Sequence, residues 1–153
     1  MSEGWKIALA AVVAVGVYVV GQLLSKFFLE PVHELRKSVG EVRFALAFHG
    51  PTIHTPIGRT EEKSEQARQA VIKCSSALIA NLGAVPAYAV TRFLAFGALP
   101  KRESVEQAAI ALRGLATYMH ETGTEAAGHV PQVNTRVVRI LGLLQLRPLE
   151  GEQ

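Results

Sequence analysis

An apolar run near the start of this 153-residue chain limits what it can fold into. From Ile7 to Leu24 the only strongly polar residue is Gln22. A helix needs about 20 predominantly apolar residues to cross the hydrocarbon core of a bilayer. Apolar residues such as Val13, Val17 and Val19 leave no polar face, which a helix in the core of a soluble domain would have. The run therefore predicts a transmembrane helix over residues 5–29.

Residues that favour a membrane–water interface flank this run. Trp5 and Lys6 precede it, and Lys26, Phe27 and Phe28 follow it. Tryptophan is enriched at the headgroup level, and a lysine near a helix end extends its ammonium group to the interface. We predict that these five residues are the contacts of the membrane anchor.

A cleaved signal peptide is the alternative interpretation of this segment. Such a peptide has a basic leader, an apolar region of about 7–15 residues and a small-residue cleavage site. Here Glu3 offsets Lys6, the apolar run is longer, and bulky residues such as Leu23 and Phe27 follow it. The sequence favours an uncleaved anchor.

Basic residues predict the orientation of the anchor. Only Lys6 precedes the run, whereas Lys26, Arg36, Lys37 and Arg43 follow it. Because positive residues are retained on the cytoplasmic side, the amino terminus is predicted outside and the remaining chain in the cytoplasm. Arg36, Lys37 and Arg43 are also candidate lipid or partner contacts, since each basic residue near an anionic leaflet contributes about 1 kcal/mol. The alternative is that they only set the orientation.

Charge and cysteine content exclude some classes of protein. The formal net charge of +3 is mild, whereas a nucleic-acid binder usually has a denser basic face. Cys74 is the only cysteine, so no internal disulfide framework can form. We expect no nucleic-acid partner.

The chain after the anchor has helical periodicity throughout. Apolar residues recur every three and four positions, and no segment alternates with a period of two. Thr60 is a predicted N-cap. The predicted amphipathic helices cover about 31–48, 60–82, 86–96, 104–120 and a last segment from 131. The fold class is all-α, with one N-terminal transmembrane helix and a compact bundle of about five helices. The predicted division is 5–29 for the anchor, 30–145 for the helical cytoplasmic domain and 146–153 for a flexible tail.

Three details of these helices follow from the pattern. Phe44 and Phe48 are expected to widen the buried stripe of the first bundle helix, and Ile79 to join that of the second. Gly and Pro residues predict a loop over 50–59. A kink is expected at Pro31, although a continuous helix is the open alternative.

The segment from Val85 to Leu99 allows several interpretations. A second span from Ala77 to Leu99 would carry Arg92 in its middle, which costs about 2.5–3.5 kcal/mol. A core helix is favoured, and an aromatic face lying in the membrane interface is the intermediate alternative. The candidate lipid or partner contacts of this segment are Tyr88, Arg92, Phe93 and Phe96.

The sequence contains no recognisable catalytic, metal or cofactor motif. There is no aspartate, and the patterns HExxH, CxxC, GxxxxGK[ST] and GxSxG are all absent. Cys74 is expected to be a small core residue. The five histidines, at positions 33, 49, 54, 120 and 129, are expected on the surface or in loops. We predict no enzymatic activity, no metal site and no cofactor.

Two segments resemble a known group of proteins. Residues 29–42, reading LEPVHELRKSVGEV, and 99–115, reading LPKRESVEQAAIALRGL, resemble uncharacterised small bacterial single-span inner-membrane proteins with a helical cytoplasmic domain. The resemblance implies a bacterial inner-membrane location and implies no activity.

The function predicted from the sequence is a membrane-anchored helical interaction or scaffold module without catalytic activity. Its expected partners are membrane lipid and either another protein or further copies of the chain. One alternative is an oligomerising membrane-perturbing effector or small channel subunit. Another is an enzyme that uses His33, Glu34, Arg36 and Glu41 near the membrane.

Overall fold

The computed structural model describes residues 3–55, 60–95, 99–119 and 128–146. These residues form helices and short connections, and none of them lies in a strand. The all-α prediction is confirmed, with one long apolar N-terminal helix followed by a bundle. The helices are α1 (Glu3–Leu24), α2 (Glu30–Phe48), α3 (Gly50–His54), α4 (Glu61–Ala84), α5 (Tyr88–Leu94), α6 (Arg102–Tyr118) and α7 (Val130–Leu143), and a π-helical turn (Ser25–Leu29) joins α1 to α2.

The first two helices form one uninterrupted helical run from Glu3 to Phe48. The helical run therefore continues through Pro31, and the expected kink within it stays a prediction. Proline lacks an N–H and crowds the preceding turn. Just before it, the N–H of Glu30 bonds to the carbonyl of Ser25, five residues back. This wider π-turn accommodates the proline without ending the helix.

Helix α1 makes no contribution to the core. None of its residues is buried, and it is the one helix of the described chain that is long and apolar enough to cross a membrane. Helices α4 and α5 would meet the same criterion only if counted together, and a bend of 90° separates them. Because α4 buries Leu78 and Leu82 in the bundle, it packs as a core helix.

The core lies between α2, α4, α6 and α7. Its largest fully buried side chains are Leu35, Leu78, Leu99, Leu112, Leu115 and Ile140. Helix α4 begins as predicted, since the Thr60 hydroxyl accepts a hydrogen bond from the N–H of Lys63. It ends at Ala84 because Pro86 forces the preceding residue, Val85, into an extended conformation.

Three predictions about local packing are wrong. Phe44 and Phe48 are 69% and 66% exposed, because the smaller Ser38 and Ala45 hold the buried face of α2. Ile79 is also exposed, at 39%. Residues 50–54 of the predicted loop form the short helix α3, in which Pro51 occupies a first-turn position that needs no N–H.

Candidate functional site

Hydrogen bonds between helices define two ends of the bundle. The side-chain amide of Asn81 donates to the Ser38 hydroxyl at 2.6 Å and to the Glu34 carbonyl at 3.4 Å. The C-terminal end of α4 therefore lies beside the N-terminal part of α2, next to α1. We call this end the base, and the opposite end, where α2 finishes at Phe48, the tip.

Helix α6 runs antiparallel to α4 and so begins at the base. Ser75, in the middle of α4, donates to the Ala109 carbonyl at 2.8 Å, and Ser64 donates to the Met119 carbonyl. The first turn of α4 thus meets the end of α6 at the tip. The start of α6, near Arg102, must lie with the end of α4 at the base.

Helix α5 lies across the base. It meets α4 at 90°, and Ala87, between the two helices, has left-handed backbone angles (φ 43°, ψ 53°). Residues with a side chain rarely adopt this conformation, which here changes the direction of the chain within a few residues. Helix α5 therefore turns away from the axis of α4 at the base.

The two faces of α5 have different surroundings. Tyr88 and Thr91 are buried, and the Tyr88 hydroxyl donates to the Pro100 carbonyl at 2.8 Å. On the outer face Val90 and Leu94 are exposed, and Phe93 is 81% exposed. The prediction of a core helix is therefore wrong for this outer face. A helix of seven residues caps the base as a single layer, so only one side of it meets the core.

A groove of about 740 Å³ separates α5 from the start of α6. Three basic residues line it, namely Arg92, Lys101 and Arg102, and so does the acidic Glu103. The Arg92 Nε donates to the Leu99 carbonyl at 3.0 Å, which fixes its guanidinium group at the groove. Burial raises the pKa of the Tyr88 hydroxyl, and the nearby charges of Arg92 and Arg102 partly oppose that shift.

Sequence reasoning found only part of this groove. Tyr88 and Arg92 were predicted contacts, and the structure brings them together with Lys101 and Arg102, which were not predicted. The usable signal was the short connection after α5, which returns a Lys-Arg pair to the base. Phe96, also predicted, lies outside the described residues.

The predicted contacts on α2 and the predicted anchor residues are not lining residues of the groove. Lys37 pairs with Glu34 at 3.6 Å on the surface of α2. Arg43 lies about 20 Å along the helix axis from Glu30, at a rise of about 1.5 Å per residue. The anchor residues flank α1, where Trp5 and Phe27 are exposed and Lys6 pairs with Glu3 at 3.2 Å.

A second groove, of about 660 Å³, lies between α6 and α7. The Arg136 guanidinium lies over the Tyr118 ring, 5.1 Å from its centre, and fills the space beside Gly114. Gln107 and Gln132 also line this groove, and among the described lining residues none is acidic.

The described residues form no cluster suited to a metal ion or to thiol chemistry. No group of three or more His, Cys, Asp or Glu side chains comes together in them. His54 instead hydrogen-bonds the side-chain amide of Asn134. Cys74 is buried as predicted, and burial together with the charge of Glu41 raises the pKa of its thiol, while Lys73 opposes this weakly. A protonated thiol is a poor nucleophile.

The chain shows no match to known proteins in three comparisons. No protein-family model matches it, and no curated protein or solved structure does either. The resemblance to bacterial single-span proteins therefore stays a prediction. The geometry of α1, α5 and the basic groove is the remaining basis for assigning a function.

Proposed function

We propose that this protein is a membrane-anchored helical module that rests its base on the membrane and binds a protein partner, without catalysing a reaction. The observation that carries the proposal is the exposed apolar face of α5 at the same end of the bundle as α1. An apolar face beside a membrane-spanning helix is stabilised by contact with lipid.

The dimensions of the long helix support this arrangement. At 1.5 Å per residue the 46-residue run is about 69 Å long, of which about 30 Å suffices to cross the hydrocarbon core. Helix α2 then extends for about 28 Å beyond the membrane. Because α5 turns by 90° from α4 at this end of the bundle, we place it along the membrane surface, as an interfacial helix lies.

The uninterrupted junction between α1 and α2 supports a retained anchor. Bulky residues such as Phe27 and Leu29 occupy the π-helical turn, where a signal peptide would have small residues at its cleavage site. The basic residues after α1 favour a cytoplasmic bundle, and the inner membrane of a bacterium is the location that we propose.

The tip offers the surface that we assign to a protein partner. Phe44 and Phe48 are stacked with their ring centres 5.6 Å apart, and His49 packs edge-on against Phe48. Phe48 is about 27 Å along the axis from Glu30, beyond the reach of the membrane interface. Exposed aromatic residues are enriched in protein–protein interfaces.

Fluorescence quenching tests whether the base rests on the membrane. Trp5 is the only tryptophan, so Trp5→Phe combined with Phe93→Trp places one fluorophore on the outer face of α5. In vesicles that contain lipids brominated near the headgroup, we expect strong quenching of this fluorophore. The matched control is Trp5→Phe with Phe48→Trp, at a tip position that is 66% exposed against 81% for Phe93, and it should not be quenched. Equal, weak quenching of both variants in membrane-bound protein would contradict the proposal.

A second candidate function is an oligomerising membrane-perturbing effector or small channel subunit. Tyr18, Gln22 and Ser25 are spaced by four and three residues, which places them on one side of the long helix. Such a polar stripe is what subunits of a channel would turn toward one another. Overexpression that causes no dye or ion leak would exclude this candidate.

A further inference from the structure

We infer that the groove between α5 and α6 binds the phosphate group of an anionic phospholipid. This inference rests on the proposed function, because it requires the base to face the membrane. It adds a chemically defined ligand and names the residues that recognise it, chiefly Arg92 and Lys101.

The basic residues of the groove are suited to binding a phosphate group. Arg92 and Lys101 form no ion pair with any residue of the described chain, although both line the groove. The hydrogen bond from the Arg92 Nε to the Leu99 carbonyl holds the guanidinium in place and leaves its terminal nitrogens to donate. A guanidinium presents paired donors to a phosphate, and a lysine adds a mobile positive charge.

The charges that line the groove favour an anionic ligand. Among the described lining residues, Arg92, Lys101 and Arg102 oppose one acidic residue, Glu103, which leaves an excess of positive charge. Arg102 also pairs with Glu106 at 3.1 Å, but both side chains are about half exposed. Exposed pairs of this kind contribute little, so Arg102 can turn toward an anion at small cost.

An exposed apolar surface of α5 lies beside the groove. Val90 is both a lining residue of the groove and part of the exposed outer face of α5, with Phe93 and Leu94 nearby on the same short helix. A free phosphate ion has no apolar part that could contact this face. A phospholipid places its phosphate next to its acyl chains, so basic and apolar groups side by side match its two parts.

The groove between α6 and α7 differs from the groove at the base in its position relative to the proposed membrane surface. It also contains arginines, but Arg136 stacks on Tyr118 and its walls are the sides of the bundle rather than the base. Of the two grooves, only that at the base would face lipid headgroups when α1 spans the bilayer. We therefore assign lipid recognition to the groove at the base, chiefly to Arg92 and Lys101.

Electron paramagnetic resonance with spin-labelled lipids tests the inference on the full chain. The protein is reconstituted in mixed phosphatidylcholine and phosphatidylglycerol vesicles, and the association of each spin-labelled lipid is measured. We expect the wild type to prefer phosphatidylglycerol. Arg92→Gln with Lys101→Gln should lower that preference by about fivefold for each charge that contacts the lipid. The matched control, Arg43→Gln with Lys63→Gln, removes two positive charges far from the base and should leave the preference unchanged.

The inference is also tested with two single variants, Lys101→Glu and Arg92→Gln, and with competition by inorganic phosphate. Lys101→Glu makes the same test without disturbing the Arg92 hydrogen bond, in case the double variant does not fold. An unchanged preference in folded Lys101→Glu and Arg92→Gln proteins would overturn the inference. Loss of the preference in inorganic phosphate but not in chloride of equal ionic strength would support the inference, because phosphate would then compete with the lipid headgroup for one site. Quenching of Phe93→Trp is measured in parallel: if it persists while lipid preference is absent, the membrane-resting base stands and only the lipid site fails.

Discussion

The two halves of the 46-residue helix have the same backbone and opposite side-chain environments. Helix α1 buries none of its residues, whereas α2 buries five, namely Leu35, Ser38, Val42, Ala45 and Leu46. The apolar residues of α1 surround the axis, and those of α2 that meet the core lie on one side. The comparison teaches that the distribution of apolar residues, rather than helix formation itself, determines what each half must contact.

The energetic consequence differs between the halves. Burying a Val or Leu side chain contributes about 1.5–3 kcal/mol relative to exposing it. In α2 this contribution comes from packing against α4. In α1 no part of the described protein provides it, and in the proposed function the lipid bilayer does. Exposed α1 side chains include Val12, Val13, Val17 and Leu23.

The largest effect is expected from charges in α1. Val13→Arg with Val17→Arg places two guanidinium groups near the middle of the span, at about 2.5–3.5 kcal/mol each. We expect the protein to move from the membrane fraction that resists alkaline carbonate to the extractable fraction. Phe44→Arg, at an equally exposed position of α2, should leave the protein in the resistant fraction. Identical behaviour of the two variants would remove the distinction between the halves.

The second comparison uses two positions of α2. Leu35 is fully buried, so Leu35→Ala should lower the free energy of unfolding by about 2–5 kcal/mol. Phe44→Ala should change it by less than about 0.5 kcal/mol, because Phe44 is exposed. Urea denaturation of the full chain in detergent, followed by circular dichroism, measures both. A large loss for Phe44→Ala would mean that its ring stabilises the bundle.

Variants of Phe44 and Phe48 together test whether the tip binds a protein partner. Phe44→Ala with Phe48→Ala should reduce the size of the complex extracted from native membranes while leaving the bundle folded. Val138→Ala, which truncates an exposed apolar residue on α7, is the control. A wild-type chain that is extracted alone, as a monomer, would contradict the partner-binding role.

The smallest effect is expected at Cys74. Because burial raises its thiol pKa, the folded protein keeps the proton to higher pH than the unfolded chain does. The unfolded thiol ionises above about pH 8.5, so this group lowers the free energy of unfolding as pH rises beyond that value. Cys74→Ala should remove that part of the alkaline loss of stability. Denaturation midpoints at neutral and alkaline pH measure the difference, and an identical pH dependence in both proteins would contradict it.

Features set by short-range patterns could be predicted from the sequence. The apolar run of α1, the N-cap at Thr60 and the buried position of Cys74 all follow from spacing or local chemistry. The exposure of Phe44 and Phe48 could not, because α2 has more apolar residues than α4 can cover. The groove was only half predicted, since Arg92 and Lys101 line it together only when the fold brings the start of α6 beside α5, where Tyr88 bonds to the Pro100 carbonyl.

The π-helical turn at Ser25–Leu29 joins α1 to α2 without a hinge. In a bilayer, a span longer than the hydrocarbon thickness tilts. In the proposed arrangement the continuous helix passes that tilt on to the bundle, including α5, which extends from α4 at 90°. A thinner bilayer would then change the tilt of α2 and so the angle at which Phe44 and Phe48 are presented.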